Sequence, residues 1–131
     1  MSVAAQATAP SSRGRLGRRH RLRAKRELRE VLRRGKRARG RRLSVATLSA
    51  GQTWSRIGLA VSKSAGNSPQ RSRIKRLLRE AFAAQRNSWP LLDVVAMCRR
   101  PWPDATLQDV KEELNQLVVR GRSPKLKRGR R

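Results

Sequence analysis

The stretch Val61-Ser62-Lys63-Ser64-Ala65-Gly66-Asn67-Ser68-Pro69-Gln70-Arg71-Ser72-Arg73-Ile74-Lys75-Arg76-Leu77-Leu78-Arg79-Glu80-Ala81-Phe82 passes from two-residue alternation to helical spacing. Ser68-Pro69 reads as an N-cap followed by proline in the first helical position, where its missing N–H is harmless. From there Ile74, Leu77, Leu78, Ala81 and Phe82 project on one face. Ser72, Lys75, Arg76 and Arg79 lie mainly on the other, with Arg71 and Arg73 at its margins. The spacing predicts a helix that is buried on one side and cationic on the other.

Upstream, Ser55 to Lys63 alternates with Ile57, Leu59 and Val61 on one face, and Leu43 to Ala50 with Leu43, Val45 and Thr47. The opposite faces carry Ser44, Ala46, Gly58, Ala60 and Ser62, side chains small enough to leave a shallow trough unless a helix fills it. Before these strands, Ala24, Leu28, Val31 and Leu32 form a helical stripe over about 23 to 34, with Gly35 where a left-handed C-terminal cap belongs. Downstream, the apolar run Leu91 to Cys98 is read as an interior strand ended by Pro101 and Pro103. Thr106 to Asp109 has capping-box spacing, and Leu107, Val110, Leu114, Leu117 and Val118 then repeat at helical intervals. A fourth, short strand within Lys36 to Arg39 has only a weak signal. The order of helix, strands, helix, strand, helix predicts a two-layer α/β sandwich of the α+β class.

The 131 residues suit one domain and carry 34 Lys+Arg against 8 Asp+Glu, a formal charge of +26. Charge that dense repels itself unless an anion neutralises it, so a polyanion is the leading partner. Residues 13 to 42 hold 16 basic and 2 acidic residues, whereas 87 to 119 hold 3 and 5, so one part of the surface is built for an anion and another is not. Arg outnumbers Lys 27 to 7, which favours planar, bidentate phosphate contacts. Residues 1 to 18 and 121 to 131 read as basic tails flanking a domain at 19 to 120.

One Cys and one His exclude a disulfide framework and a Cys/His zinc site. His20 reads as one more polar residue in the basic approach to the first helix, and Cys98 as a buried strand residue. Trp54, Trp89 and Trp102 have the residue type for base stacking but more often cap a core. Asp104, Asp109, Glu112 and Glu113 suit the start and exposed face of the last helix. Nothing approaches the length of a membrane span, and a cytoplasmic location without a membrane partner is expected.

The run Val61 to Asn67 and Arg71 to Phe82 resembles the signature of the bacterial ribonuclease P protein subunit, usually written around an Arg-Asn-Arg core. His20-Arg21-Leu22-Arg23, Gly35, Arg56-Ile57-Gly58-Leu59, Asp93-Val94-Val95 and Leu107 to Leu117 also fall where that family has counterparts. The resemblance implies the order αβββαβα, a ribosomal-protein-like fold with a left-handed crossover around the signature helix. It implies a small partner of a large catalytic RNA that removes the 5′ leader from precursor tRNA, with the protein alone a monomer. Asn67, Arg71, Ser72, Arg73, Lys75, Arg76 and Arg79 would face the catalytic RNA. Leu28, Leu32, Ala46 and Lys63 would line the cleft that grips the single-stranded leader.

Ser72 stands where the family usually has Asn, and the cleft positions lack aromatics, so leader binding should lean on Arg and apolar contact. No protein constellation supplies a nucleophile and base. Hydrolysis is expected from the RNA with Mg2+, without a protein metal site. The alternative from another class is a non-catalytic ribosomal or nucleoid-type binding protein, which +26 alone would equally suit.

Overall fold

A computed structural model describes residues 17–22, 24–49 and 51–122. Arg23, Ala50 and most of the two expected tails lie outside them. The elements are α1 (Lys25–Arg34), β1 (Lys36–Arg39), β2 (Leu43–Leu48), β3 (Arg56–Val61), α2 (Ser68–Gln85), β4 (Asp93–Cys98) and α3 (Leu107–Arg122). The weakly signalled strand at Lys36–Arg39 is present, and α3 runs to Arg122, past the expected domain boundary.

The sheet has the order β1-β2-β4-β3, with β3 and β4 parallel and the other pairs antiparallel. The parallel pair requires a crossover, and α2 supplies it. Strand alternation sends Leu43, Val45, Ile57, Val94, Ala96 and Cys98 to one face. There α2 contributes Ile74, Leu78 and Phe82, and α3 contributes Val110, Leu114 and Leu117, to the main core. Each such fully buried aliphatic side chain stabilises the fold by about 1.5–3 kcal/mol.

The other face is covered by α1 together with Leu22 from the segment before it. Two four-residue cross-strand rows follow from the register, Arg37, Ala46, Val95 and Gly58, then Arg39, Ser44, Met97 and Ala60, beside a shorter one of Leu48, Asp93 and Arg56. Helix α1 lies on the first row, where Val31 clusters with Ala46 and Val95. A Cβ on Gly58 would come 2.2 Å from Leu28 Cδ2, so glycine lets α1 sit down on β3. Small side chains in this row admit the helix, and the second row stays beside it as a trough.

Two local expectations are corrected. Gly35 is extended (φ −78, ψ 172) and forms no left-handed cap. What demands glycine there is proximity, because a Cβ would lie 2.5 Å from the Thr47 and Val31 carbonyl oxygens. The N-cap of α2 is Asn67 rather than Ser68: its side chain accepts from Gln70 N while the Gln70 side chain accepts from Asn67 N. This reciprocal pair satisfies two otherwise orphaned donors, which a serine one residue later does not do. The capping box at the start of α3 forms as read, with Asp109 N donating to Thr106 Oγ1 at 3.1 Å.

Ahead of α1, Leu22 N donates to Ile57 O at 2.8 Å, laying the N-terminal segment along the free edge of β3. The Trp54 indole N–H donates to Arg19 O at 2.7 Å, and the Arg19 guanidinium lies 4.9 Å from the centre of that ring. Trp54 therefore pins the approach to α1. Trp89 and Trp102 are buried against the main core, and so is Cys98.

Candidate RNA interface

Helix α2 begins in a tightly built corner. Gly66 has φ 132, and a Cβ there would meet Gln70 Oε1 at 2.3 Å. The Arg71 guanidinium donates through Nε to Gly66 O at 3.1 Å and through Nη2 to Ser68 Oγ at 3.4 Å. Arg71 is half-buried and clasps the corner, and Asn67 Oδ1 is occupied by the cap. Both are committed in part to the corner, Asn67 through Oδ1 and Arg71 through Nε and Nη2.

Beyond the corner the outward face matches the helical reading. Ser72, Arg73 and Arg76 are exposed, and Lys75 and Arg79 are half-buried. Ion pairs among the described residues join Arg33 and Arg34 to Glu30, and Arg56 to Glu27 and Asp93; none involves α2. Burial and the nearby Arg21 both push the Arg79 guanidinium below its ordinary pKa. Arg21 belongs to the segment along β3, so positive charge from another element acts on this guanidinium. A polyanion across α2 and this edge would relieve that repulsion. Sequence reasoning did not single out Arg21, because the pairing that brings it to α2 spans more than thirty residues.

The second feature is the trough between α1 and the open half of the sheet. Leu28 and Leu32 are half-buried and form its wall, and the row Arg39, Ser44, Met97 and Ala60 is its floor. Lys63 is exposed in the turn just after β3. Ala46 has no accessible surface. It lies beneath α1 and shapes the packing under the wall, which corrects the expectation that it lines the cleft.

Towards the start of β2 and the end of β4 the floor leads to a depression of about 280 Å3 lined by Arg39, Arg41, Arg42, Arg99 and Arg100 together with Ser44 and Met97. Arg42 is partly committed, lying 5.6 Å from the Trp102 ring centre and donating to Pro101 O. Glu113 accepts from the backbone N–H groups of Arg42 and Leu43 and shapes the turn that presents these arginines. Strand alternation on β1 was the available signal for Arg37 and Arg39, since Ala38 faces the main core. Among the described residues no group of three or more His, Cys, Asp or Glu is placed to hold a metal ion.

The ribonuclease P family model matches residues 16–121. The chain belongs to the ribonuclease P protein family. The ribonuclease P protein component of Exiguobacterium is 36% identical over 103 residues, covering 79% of this chain and 90% of the relative. That of Listeria monocytogenes is 36% identical over 112 residues, covering 82% and 92%.

Among solved structures, the RNase P protein from Thermotoga maritima superposes with a TM-score of 0.67 at 27% identity, covering 76% of this chain and 96% of that one. The RNase P protein from Staphylococcus aureus does so with 0.68 at 25%, covering 76% and 93%. The protein is therefore a subunit of the endoribonuclease that matures the tRNA 5′ end, a ribonucleoprotein with an RNA partner. The α+β sandwich is the fold of its ribonuclease P neighbours. No helix among the described residues is long and apolar enough to cross a membrane.

Proposed function

We propose that the outward face of α2 binds the catalytic RNA of ribonuclease P, and that the trough beside α1 holds the single-stranded 5′ leader of precursor tRNA. The observation that carries the first assignment is the row of Ser72, Lys75, Arg76 and Arg79, with no ion pair to an acid among the described residues. Each phosphate neutralised releases counterions, so binding is strong at low salt and weakens as salt rises. Arg73 extends the face at one margin, while Arg71 and Asn67 fix the corner from which it projects.

The trough fits an unpaired strand because its wall is apolar, Ser44 and Ala60 keep part of its floor low, and its end is ringed by arginines. Holding the leader there keeps the scissile phosphate in register with groups on the RNA partner, a contribution of position and charge. Magnesium belongs to that partner in this account. Four of the protein's eight carboxylates are taken up elsewhere: Asp93 and Glu27 by Arg56, Glu30 by Arg33 and Arg34, and Glu113 by backbone amides. The protein works in the cytoplasm as a monomer until it meets RNA. A ribosomal or nucleoid role is disfavoured by the family membership.

Affinity of the assembled holoenzyme for precursor tRNA with and without its leader tests the second assignment. Tighter binding of the leader-bearing substrate, reduced by Leu32→Asp, is expected. Equal affinity for both substrates would refute it.

A further inference from the structure

The cleft contains no aromatic ring. All four aromatic residues of the chain are placed elsewhere: Phe82, Trp89 and Trp102 are buried with the main core, and Trp54 is held by Arg19 on the loop before β3. Single-stranded RNA is nonetheless recognised largely through stacking on aromatic rings or on Arg guanidinium planes. If bases stack in this cleft, a guanidinium must supply the plane, and that plane must be fixed.

Arg37 meets both conditions. Arg37 lies on β1 opposite Ala46, on the face that α1 covers. Its Nε and Nη2 both donate to Leu32 O, at 3.3 and 3.1 Å. That carbonyl lies in the last turn of α1, where acceptors lack helical partners and the helix end favours a cation. Guanidinium hydrogen bonds lie in the plane of the group, so two bonds along one edge restrain its orientation and occupy neither face. The residue is exposed, at the end of the wall formed by Leu28 and Leu32, and Arg39 follows on the same strand face. Arg26, Arg29 and Arg33 border the same surface depression as Leu32 and Arg37 and supply phosphate-binding charge around it.

We propose that the Arg37 guanidinium, held by the Leu32 carbonyl, is a stacking platform for one unpaired nucleobase of the RNA strand in the cleft. The proposal rests on the reading of the cleft as a single-stranded RNA site. It assigns to Arg37 a role set by its shape as well as its charge. Recognition of this kind tolerates any base but requires that a base be present, because every base has a π-face.

The test uses holoenzyme assembled with wild-type protein, Arg37→Lys or Arg37→Tyr, and precursor tRNAs carrying a single abasic residue at successive leader positions. With wild type, one leader position should show about tenfold weaker binding when abasic. Arg37→Lys keeps the charge and a donor for Leu32 O but has no plane. It should weaken the intact leader by a similar factor and be indifferent to the abasic residue. Arg37→Tyr should restore the dependence on the base. Unchanged affinity and an unchanged abasic profile in Arg37→Lys would overturn the proposal, as would a wild-type profile with no sensitive position. Equal binding of leader-bearing and leaderless substrates by wild type would instead overturn the underlying reading of the cleft.

Discussion

Arg56 and Asp93 face each other as register partners across the parallel β3–β4 pair, with Nε 3.0 Å from Oδ1 and Nη2 2.8 Å from Oδ2. The same guanidinium reaches Glu27 on α1 at 3.2 Å, so one side chain ties the helix to the sheet at the covered end of the cleft. Hydrogen bonding to Asp93 is the main cause that raises the Arg56 pKa, and Glu27 adds to it. Asp93→Asn leaves Arg56 with one charged partner instead of two. Asp93 is 5% exposed whereas the Arg56 side chain keeps 28% of its surface, so the cost is set at about 1–3 kcal/mol, below that of a fully buried pair. Urea denaturation should show the loss, and an unchanged midpoint would remove Arg56 from this role.

Gly35→Ala should destabilise the fold although its backbone angles are open to any residue. The added methyl would sit 2.5 Å from two backbone oxygens, neither of which can swing aside. Overpacking of this kind costs about 1–3 kcal/mol, readable as a lower melting temperature. A neutral substitution would mean that the junction of α1 and β1 relaxes freely.

Glu113→Gln tests the tie between α3 and the arginine-bearing turn. The carboxylate oxygen accepts from Arg42 N and Leu43 N at 2.8 Å each. A neutral amide accepts more weakly, and charged acceptors contribute about 1.5–3 kcal/mol per hydrogen bond at most sites. Hydrogen exchange at the Arg42 and Leu43 amides should accelerate, more than exchange in α2. Uniform exchange across both regions would contradict a local role.

These ties show what one sequence reveals and what it conceals. The faces of α2 and α3 were legible because Ile74, Leu78, Val110 and Leu114 repeat at helical spacing, and the trough was legible because Ser44, Gly58 and Ala60 alternate with large apolar residues. The strand at Lys36–Arg39 gave little signal, since only Ala38 is apolar among its four residues and burial comes from the pairing with β2. Gly35 was correctly singled out for the wrong reason: its neighbour Thr47 is distant in sequence, so the close approach left no local trace. Glu113 looked like an exposed helix carboxylate for the same reason. Ala46 carried the right strand face, but its depth depends on where α1 lands. The assignment to the family came from the signature and its flanks, whereas the action of the Arg21 charge on Arg79 required the fold.

His20 provides the pH-dependent element. Its Nδ1 lies 2.9 Å from Ser55 O, and burial, followed by the charges of Arg86 and Arg19, lowers its pKa from 6.5 despite the opposing backbone hydrogen bond. A histidine with a depressed folded-state pKa binds more protons when unfolded. Its contribution is therefore complete above the unfolded value and is lost as pH falls through 6.5 towards the folded pKa. The melting temperature should drop on acidification from about pH 7.5 to 5, with a smaller drop in His20→Gln. Identical slopes for the two proteins would show that His20 does not contribute.

The most direct test of the whole account is cleavage of precursor tRNA at low magnesium by the catalytic RNA, with wild-type protein or with Arg73→Ala/Lys75→Ala/Arg76→Ala. These three side chains lie on or beside the outward face of α2 and avoid Arg71, which holds the corner. Wild type should stimulate cleavage strongly. The triple variant should melt like wild type yet fail to stimulate at low magnesium, and its RNA binding should depend less steeply on salt. Full stimulation by a folded triple variant would contradict the assignment of α2 as the RNA-binding face.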